Sequence, residues 1–204
     1  MRSRIRLSFA LLAIAAVSLA RSTAAAQQNT NATPPPPAPT RAELAVDYSF
    51  VHSNAPPGSC TCFSLNGGGA SFAWSLTPHF ALAGDVDVTH SAGISSGGYS
   101  LTLSTYTGGA RYLPLAGHKS LQPFGQVLAG VAHASGSLVE GRTPATSNAG
   151  AAFAAIVGGG LDIRLKRRFS LRLIEADYLV TTIDNGDNDH QNNLRISAGV
   201  AFHF

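Results

Sequence analysis

Leu194-Arg195-Ile196-Ser197-Ala198-Gly199-Val200-Ala201-Phe202-His203-Phe204 closes the chain, and apolar residues occupy every second position of it. Side chains alternate across an extended strand. Leu194, Ile196, Ala198, Val200, Phe202 and Phe204 therefore share one face, and Arg195, Ser197, Gly199, Ala201 and His203 the other. A soluble sandwich could use the same alternation, but it rarely sets its last core strand flush with the C-terminus and ends it on an aromatic ring. The oily face needs a second protein layer or hydrocarbon against it.

The opposite end reads as an export signal. Arg2, Arg4 and Arg6 precede the apolar run Leu7 to Leu19, and Thr23-Ala24-Ala25-Ala26 supply small residues for cleavage, so the expected cut follows Ala26. That run is shorter than the roughly 20 residues a spanning helix needs, and no cysteine follows the cut to carry a lipid. No other stretch reads as a spanning helix. A membrane crossing, if there is one, is made by strands.

Composition agrees once the signal is set aside. The chain carries 14 Lys+Arg against 11 Asp+Glu, and loss of Arg2, Arg4, Arg6 and Arg21 leaves ten basic against eleven acidic side chains. The basic balance belongs to the signal, and no basic stripe interleaved with aromatics is present to take nucleic acid. Charged residues make up only 12% and Gly, Ala, Ser and Thr abound, which suits a barrel with an apolar outside and a narrow interior. Residues 27–41, with Pro34-Pro35-Pro36-Pro37-Ala38-Pro39, read as a semi-rigid periplasmic leader with no core of its own.

From residue 42 to 204 the chain reads as repeated strands. Leu44, Val46, Tyr48 and Phe50 alternate with Ala45, Asp47 and Ser49; Ala70, Phe72, Trp74 and Leu76 follow after a break at 53–64. Phe80, Leu82, Val86 and Val88 oppose Asp85, Asp87 and Thr89. A fourth strand over Tyr99–Tyr112 sets Leu101 and Leu103 out of phase with Tyr106 and Tyr112, which predicts a bulge. The fifth, Phe124–His133, is too glycine-rich to assign a facing. The sixth sets Phe153, Val157, Leu161 and Ile163 against Asp162 and Arg164, and the seventh, Phe169–Thr181, needs a bulge if Arg172, Glu175 and Asp177 all face inward.

Short breaks at 77–79, 113–123 and 166–168 alternate with longer ones at 53–64, 91–98, 134–149 and 182–191. Eight strands with both ends on one side follow: an all-β, antiparallel, up-and-down transmembrane barrel with periplasmic termini. Ten strands are the alternative, reached if the 134–149 break extends its flanking strands.

Charges on strands must face lipid or one another, and an arginine facing lipid at midplane costs about 2–4 kcal/mol. Asp47, Asp85, Asp87, Arg111, Asp162, Arg164, Arg172, Glu175, Asp177 and Arg195 are therefore expected in the lumen as an ion-pair network that plugs it. A gate or proton path is the functional alternative. His90, His133 and His203 read as polar residues at strand ends. Cys60 and Cys62 share the first long break and could form a strained disulfide in an oxidising compartment. Two thiolates do not make a metal site, and the 184–189 run Asp-Asn-Gly-Asp-Asn-Asp lacks the spacing of a known calcium loop, so no metal and no cofactor are expected.

The terminal strand resembles the C-terminal signal of bacterial outer-membrane barrels, with Leu194, Ile196, Val200, Phe202 and Phe204 in the positions read by the insertion machinery. With Gly158-Gly159-Gly160-Leu161-Asp162-Ile163 and Glu175-Ala176-Asp177-Tyr178, residues 42–204 resemble the small barrels of the OmpA transmembrane-domain and OmpX type, above all outer-membrane β-barrel domain proteins whose last strand reads Asn-Asn-Leu-Arg-x-Ser-x-Gly. The resemblance implies a non-enzymatic structural or surface-interaction protein of the bacterial outer membrane whose long loops meet lipopolysaccharide or external partners. It carries no C-terminal peptidoglycan-binding domain, so wall anchoring is not expected. A narrow pore is the second reading and a lipid A-modifying enzyme the third. His52-Ser53-Asn54 is similar to the His-x-Ser-Asn element of lipid A deacylases, but adjacent strand residues point to opposite faces and cannot pair as base and nucleophile. The oligomeric state is open.

Overall fold

The computed structural model describes residues 41–53, 62–94, 98–115, 120–136, 151–183 and 189–204. The proposed signal segment, all of the leader but Arg41, Cys60, and residues 184–188 lie outside them. The strands are β1 (Ala42–Ser53), β2 (Phe63–Ser75), β3 (Phe80–Ile94), β4 (Tyr99–Tyr112), β5 (Leu121–Ser135), β6 (Ala152–Lys166), β7 (Phe169–Thr181) and β8 (Gln191–His203). Each pairs antiparallel with the next, and β8 pairs back to β1 to close an eight-stranded barrel. The last residue completes the seam: Phe204 N–H donates to Ala42 O at 2.8 Å, and Arg41 N–H donates to Phe204 O at 2.9 Å.

Strands of 12 to 15 residues exceed the 9–11 that a tilted crossing needs. Their outward faces are oily, with Val46, Phe72, Leu82, Val127, Val157 and Tyr178 exposed. Rings gather toward both ends, as interfacial girdles do. Phe80 packs on Tyr112 (5.1 Å) and Phe169 on Phe202 (5.4 Å) near the short turns, while Tyr48 Oη donates to Asn66 and Tyr178 Oη to Asn192 near the long connections.

Three details depart from the sequence expectation. β2 begins at Phe63, because Leu65 carries the alternation through the Gly67-Gly68-Gly69 run, and β3 persists to Ile94. β4 has no bulge where one was expected: Leu101, Leu103, Thr105, Thr107 and Arg111 are all inward, and Tyr106 and Tyr112 outward, in one unbroken phase. Those leucines are core. The bulge expected in β7 is present, since Leu173 and Ile174 both point outward and the register shifts between Arg172 and Glu175. That extra residue brings Arg172, Glu175 and Asp177 to the same face.

Candidate functional site: the barrel lumen

Seven carboxylates (Glu43, Asp47, Asp85, Asp87, Asp162, Glu175 and Asp177) face the interior against four guanidiniums (Arg111, Arg164, Arg172 and Arg195). Arg172 is 1% exposed and sits at the centre of one knot. Its Nε donates to Asp162 at 2.9 Å, Nη1 to Glu175 at 2.9 Å, and Nη2 to Glu43 at 2.8 Å. Arg195, also 1% exposed, makes the second: Nη1 to Asp85 at 2.6 Å, Nη2 to Asp177 at 2.7 Å and to Glu175 at 3.3 Å. Glu175 joins the two knots. Glu43 extends the first to Arg111 at 2.8 Å.

Some of these bonds stay within a strand or join neighbours, as Arg172–Glu175, Arg172–Asp162 and Arg195–Asp177 do, and others reach past the neighbouring strand through the lumen. Arg195 on β8 reaches Asp85 on β3, Arg172 on β7 reaches Glu43 on β1 and Ser71 on β2, and Gln126 on β5 donates to Glu175 on β7 at 2.8 Å. Phe124 lies beneath both Arg111 (4.3 Å) and Arg172 (4.7 Å), so each guanidinium face meets a ring. Glycine makes room for the crowd. A methyl group on Gly158 would lie 2.1 Å from Asp177 Oδ1, and one on Gly199 2.2 Å from Val46 O.

Not every expected member joins an ion pair. Arg164 contacts His203 through Nη2 at 3.3 Å, and its Nε has no partner among the described residues. Among the described residues Asp47 and Asp87 hydrogen-bond only with Ser49, whose hydroxyl donates to Asp87 and lies 3.3 Å from Asp47 Oδ1. Sequence reasoning missed Glu43, taken as a strand start, and Gln126 and Phe124, which lie on the strand whose facing was unassigned.

It also missed an apolar layer. Toward the long-connection end the lumen is filled by Val51, Leu65, Leu103, Leu128, Ile156 and Leu179, all nearly fully buried. Leu128, Ile156 and Leu179 stand side by side across β5, β6 and β7. Each buried aliphatic chain of this size contributes about 1.5–3 kcal/mol. The interior is therefore half ionic and half aliphatic.

At the outer surface His52 Nδ1 lies 3.2 Å from Ser64 Oγ on the neighbouring strand, and His90 Nδ1 lies 2.9 Å from Thr102 Oγ1 in the same kind of cross-strand pair. Among the described residues no carboxylate orients either ring. Beyond β7, the hydrogen bond from His190 at 2.8 Å holds the exposed Asp189 carboxyl below its usual range. Among the described residues, no group of three or more His, Cys, Asp and Glu side chains is placed to hold a metal ion. Cys62 is exposed just before β2, and its pairing with Cys60 falls outside the described residues.

The architecture is shared with solved outer-membrane proteins. The attachment invasion locus protein Ail of Yersinia pestis aligns over 81% of this chain and 99% of its own, at a TM-score of 0.55 and 13% identity. Neisserial surface protein A aligns over 80% and 97% (TM-score 0.55, 14% identity), and OprG of Pseudomonas aeruginosa over 81% and 97% (0.54, 10%). At these identities the likeness is one of fold. No curated protein matches the chain. The model of the outer membrane protein β-barrel domain matches residues 9–202, nearly the entire sequence, and the chain belongs to that family.

Proposed function

We propose that this outer-membrane barrel is a closed, non-enzymatic scaffold that presents its four long connections at the cell surface. The observation that carries the reading is the pair of arginine knots tied across the lumen, Arg195 to Asp85 and Arg172 to Glu43, with an aliphatic layer beside them. An eight-stranded barrel has an interior only wide enough for side chains, and here those side chains bond strands two and three places apart around the ring. In this reading the signal segment is removed, both termini are periplasmic, and the last strand, through Leu194, Ile196, Val200, Phe202 and Phe204, is the part read by the insertion machinery.

The surface partners follow from loop chemistry. Ail has been crystallised with the heparin analogue sucrose octasulfate. The long connections here carry Glu140, Asp184, Asp187 and Asp189 against Arg142 alone, so a polyanion is a poor match. Lipopolysaccharide sugars and uncharged or cationic surfaces fit better. The His52–Ser64 pair is a rim hydrogen bond rather than a nucleophile and its base, because His90–Thr102 repeats it with a threonine and neither ring has an orienting acid among the described residues.

Planar-bilayer recording tests the closed lumen. The native barrel is expected to show no steady single-channel steps, and Arg172→Ala/Arg195→Ala, which empties both knots, is expected to show them. Steady steps from the native protein would remove the proposal.

A further inference from the structure

The lumen holds a charge imbalance at a definite place. Asp47 and Asp87 converge over Gly69: a methyl group on that glycine would lie 2.8 Å from Asp87 Oδ2 and 3.4 Å from Asp47 Oδ1. Ser49 Oγ touches both carboxylates and also Ser197 Oγ at 3.4 Å, yet a hydroxyl has one proton to give. Neither carboxylate is in an ion pair with any described residue, since the guanidiniums nearby are committed to Asp85, Asp162, Glu175, Asp177 and Glu43.

A second, independent observation points to the same place. Thr105 stands directly opposite Asp87 in the β3–β4 register, on the inward face, 2% exposed, and its Oγ1 has no hydrogen-bond partner among the described residues. Thr107, one inward step along β4, is likewise buried with an unpartnered Oγ1. Buried hydroxyls normally find a partner, and an unsatisfied one costs about 1–3 kcal/mol. Two carboxyl groups outside any ion pair among the described residues, with the unused Thr105 hydroxyl across the register from Asp87, form an all-oxygen donor set.

We propose that Asp47 and Asp87, with Thr105, hold a hydrated divalent cation of the magnesium class inside the barrel. Two carboxylates rather than three suit an ion that keeps several of its own waters, as magnesium does. The unused threonine oxygens would bond to those waters. Ca²⁺, which asks for six to eight protein or water oxygens at longer range, fits the short donor set less well.

The test uses the whole barrel, folded in lipopolysaccharide-free detergent micelles and stripped with chelator, titrated with MgCl₂ by calorimetry. Saturable binding of one Mg²⁺ per barrel is expected, weakened about tenfold or more in Asp47→Asn/Asp87→Asn. Thr105→Val, which keeps side-chain shape and both carboxylates, is expected to weaken binding while folding normally, so a folding failure of the double variant leaves the proposal testable. Asp184→Asn/Asp187→Asn/Asp189→Asn is expected to bind as the native protein does. The proposal is overturned if the native barrel shows no saturable Mg²⁺ binding, if the loop variant abolishes it, or if Thr105→Val leaves it unchanged. It also fails if the pair shares a proton in the presence of Mg²⁺, seen as a protonated-carboxyl infrared band that Asp47→Asn/Asp87→Asn removes.

Discussion

Replacing Arg172 by methionine removes the cation at the centre of the first knot while keeping much of its volume. Three carboxylates lose a partner, but unequally: Glu43 keeps Arg111 at 2.8 Å and Glu175 keeps Arg195 at 3.3 Å, whereas Asp162 keeps no guanidinium. The cost is therefore that of one orphaned buried carboxylate, about 3–5 kcal/mol. Loss of the contact with Phe124 adds up to about 1 kcal/mol. Asp162→Asn in the same chain removes the orphan, and the double variant is expected to be more stable than the sum of the single changes by about 1–3 kcal/mol. Urea unfolding of the barrel in lipid vesicles, followed through Trp74, the sole tryptophan, measures each corner of the cycle. An Arg172→Met cost below about 1 kcal/mol, or strict additivity with Asp162→Asn, would refute the reasoning, because buried partners cannot be both isolated and independent.

Other consequences are as direct. Val127, near the middle of β5 and 61% exposed, faces hydrocarbon, so Val127→Arg is expected to cost about 2–4 kcal/mol in the same unfolding assay. Deleting Phe204 removes the three backbone hydrogen bonds it makes with Arg41 and Ala42, at 2.8, 2.9 and 3.3 Å at the end of the β1–β8 seam, a loss of about 2–3 kcal/mol, whereas Phe204→Ala keeps them and is expected to lower only the inserted fraction seen as a heat-modifiable band. Lipid A from cells making the native barrel, His52→Ala or Ser64→Ala is expected to have one and the same acylation by mass analysis. A change that appears only with the native protein would restore the enzymatic reading.

Much of the wall was legible because lipid imposes one rule on every strand: each second residue must be apolar. Leu194 to Phe204 states that rule without exception, and the charges at Arg172, Glu175 and Asp177 revealed the β7 bulge because only an extra residue puts all three on one face. The inside was harder. Hydrocarbon and a packed lumen accept the same leucines, so Leu101 and Leu103 read as outward and in conflict with Tyr106, which predicts a bulge that β4 does not contain. Periodicity reports that two faces differ, not which face an aliphatic layer occupies. Gly125 and Gly130 left β5 without a phase, which hid Phe124 and Gln126. Which guanidinium meets which carboxylate depends on cross-barrel distances set by strand stagger, and no local pattern encodes those.

A membrane-embedded barrel requires hydrocarbon to be the medium that meets the outward face. Trp74 points outward near the short-turn rim, 45% exposed, so it reports on that medium without substitution. In vesicles containing brominated lipids, its fluorescence is predicted to be quenched most by bromines placed high on the acyl chains and little by aqueous iodide. Quenching by iodide alone, indifferent to every brominated lipid, would contradict a membrane-embedded barrel.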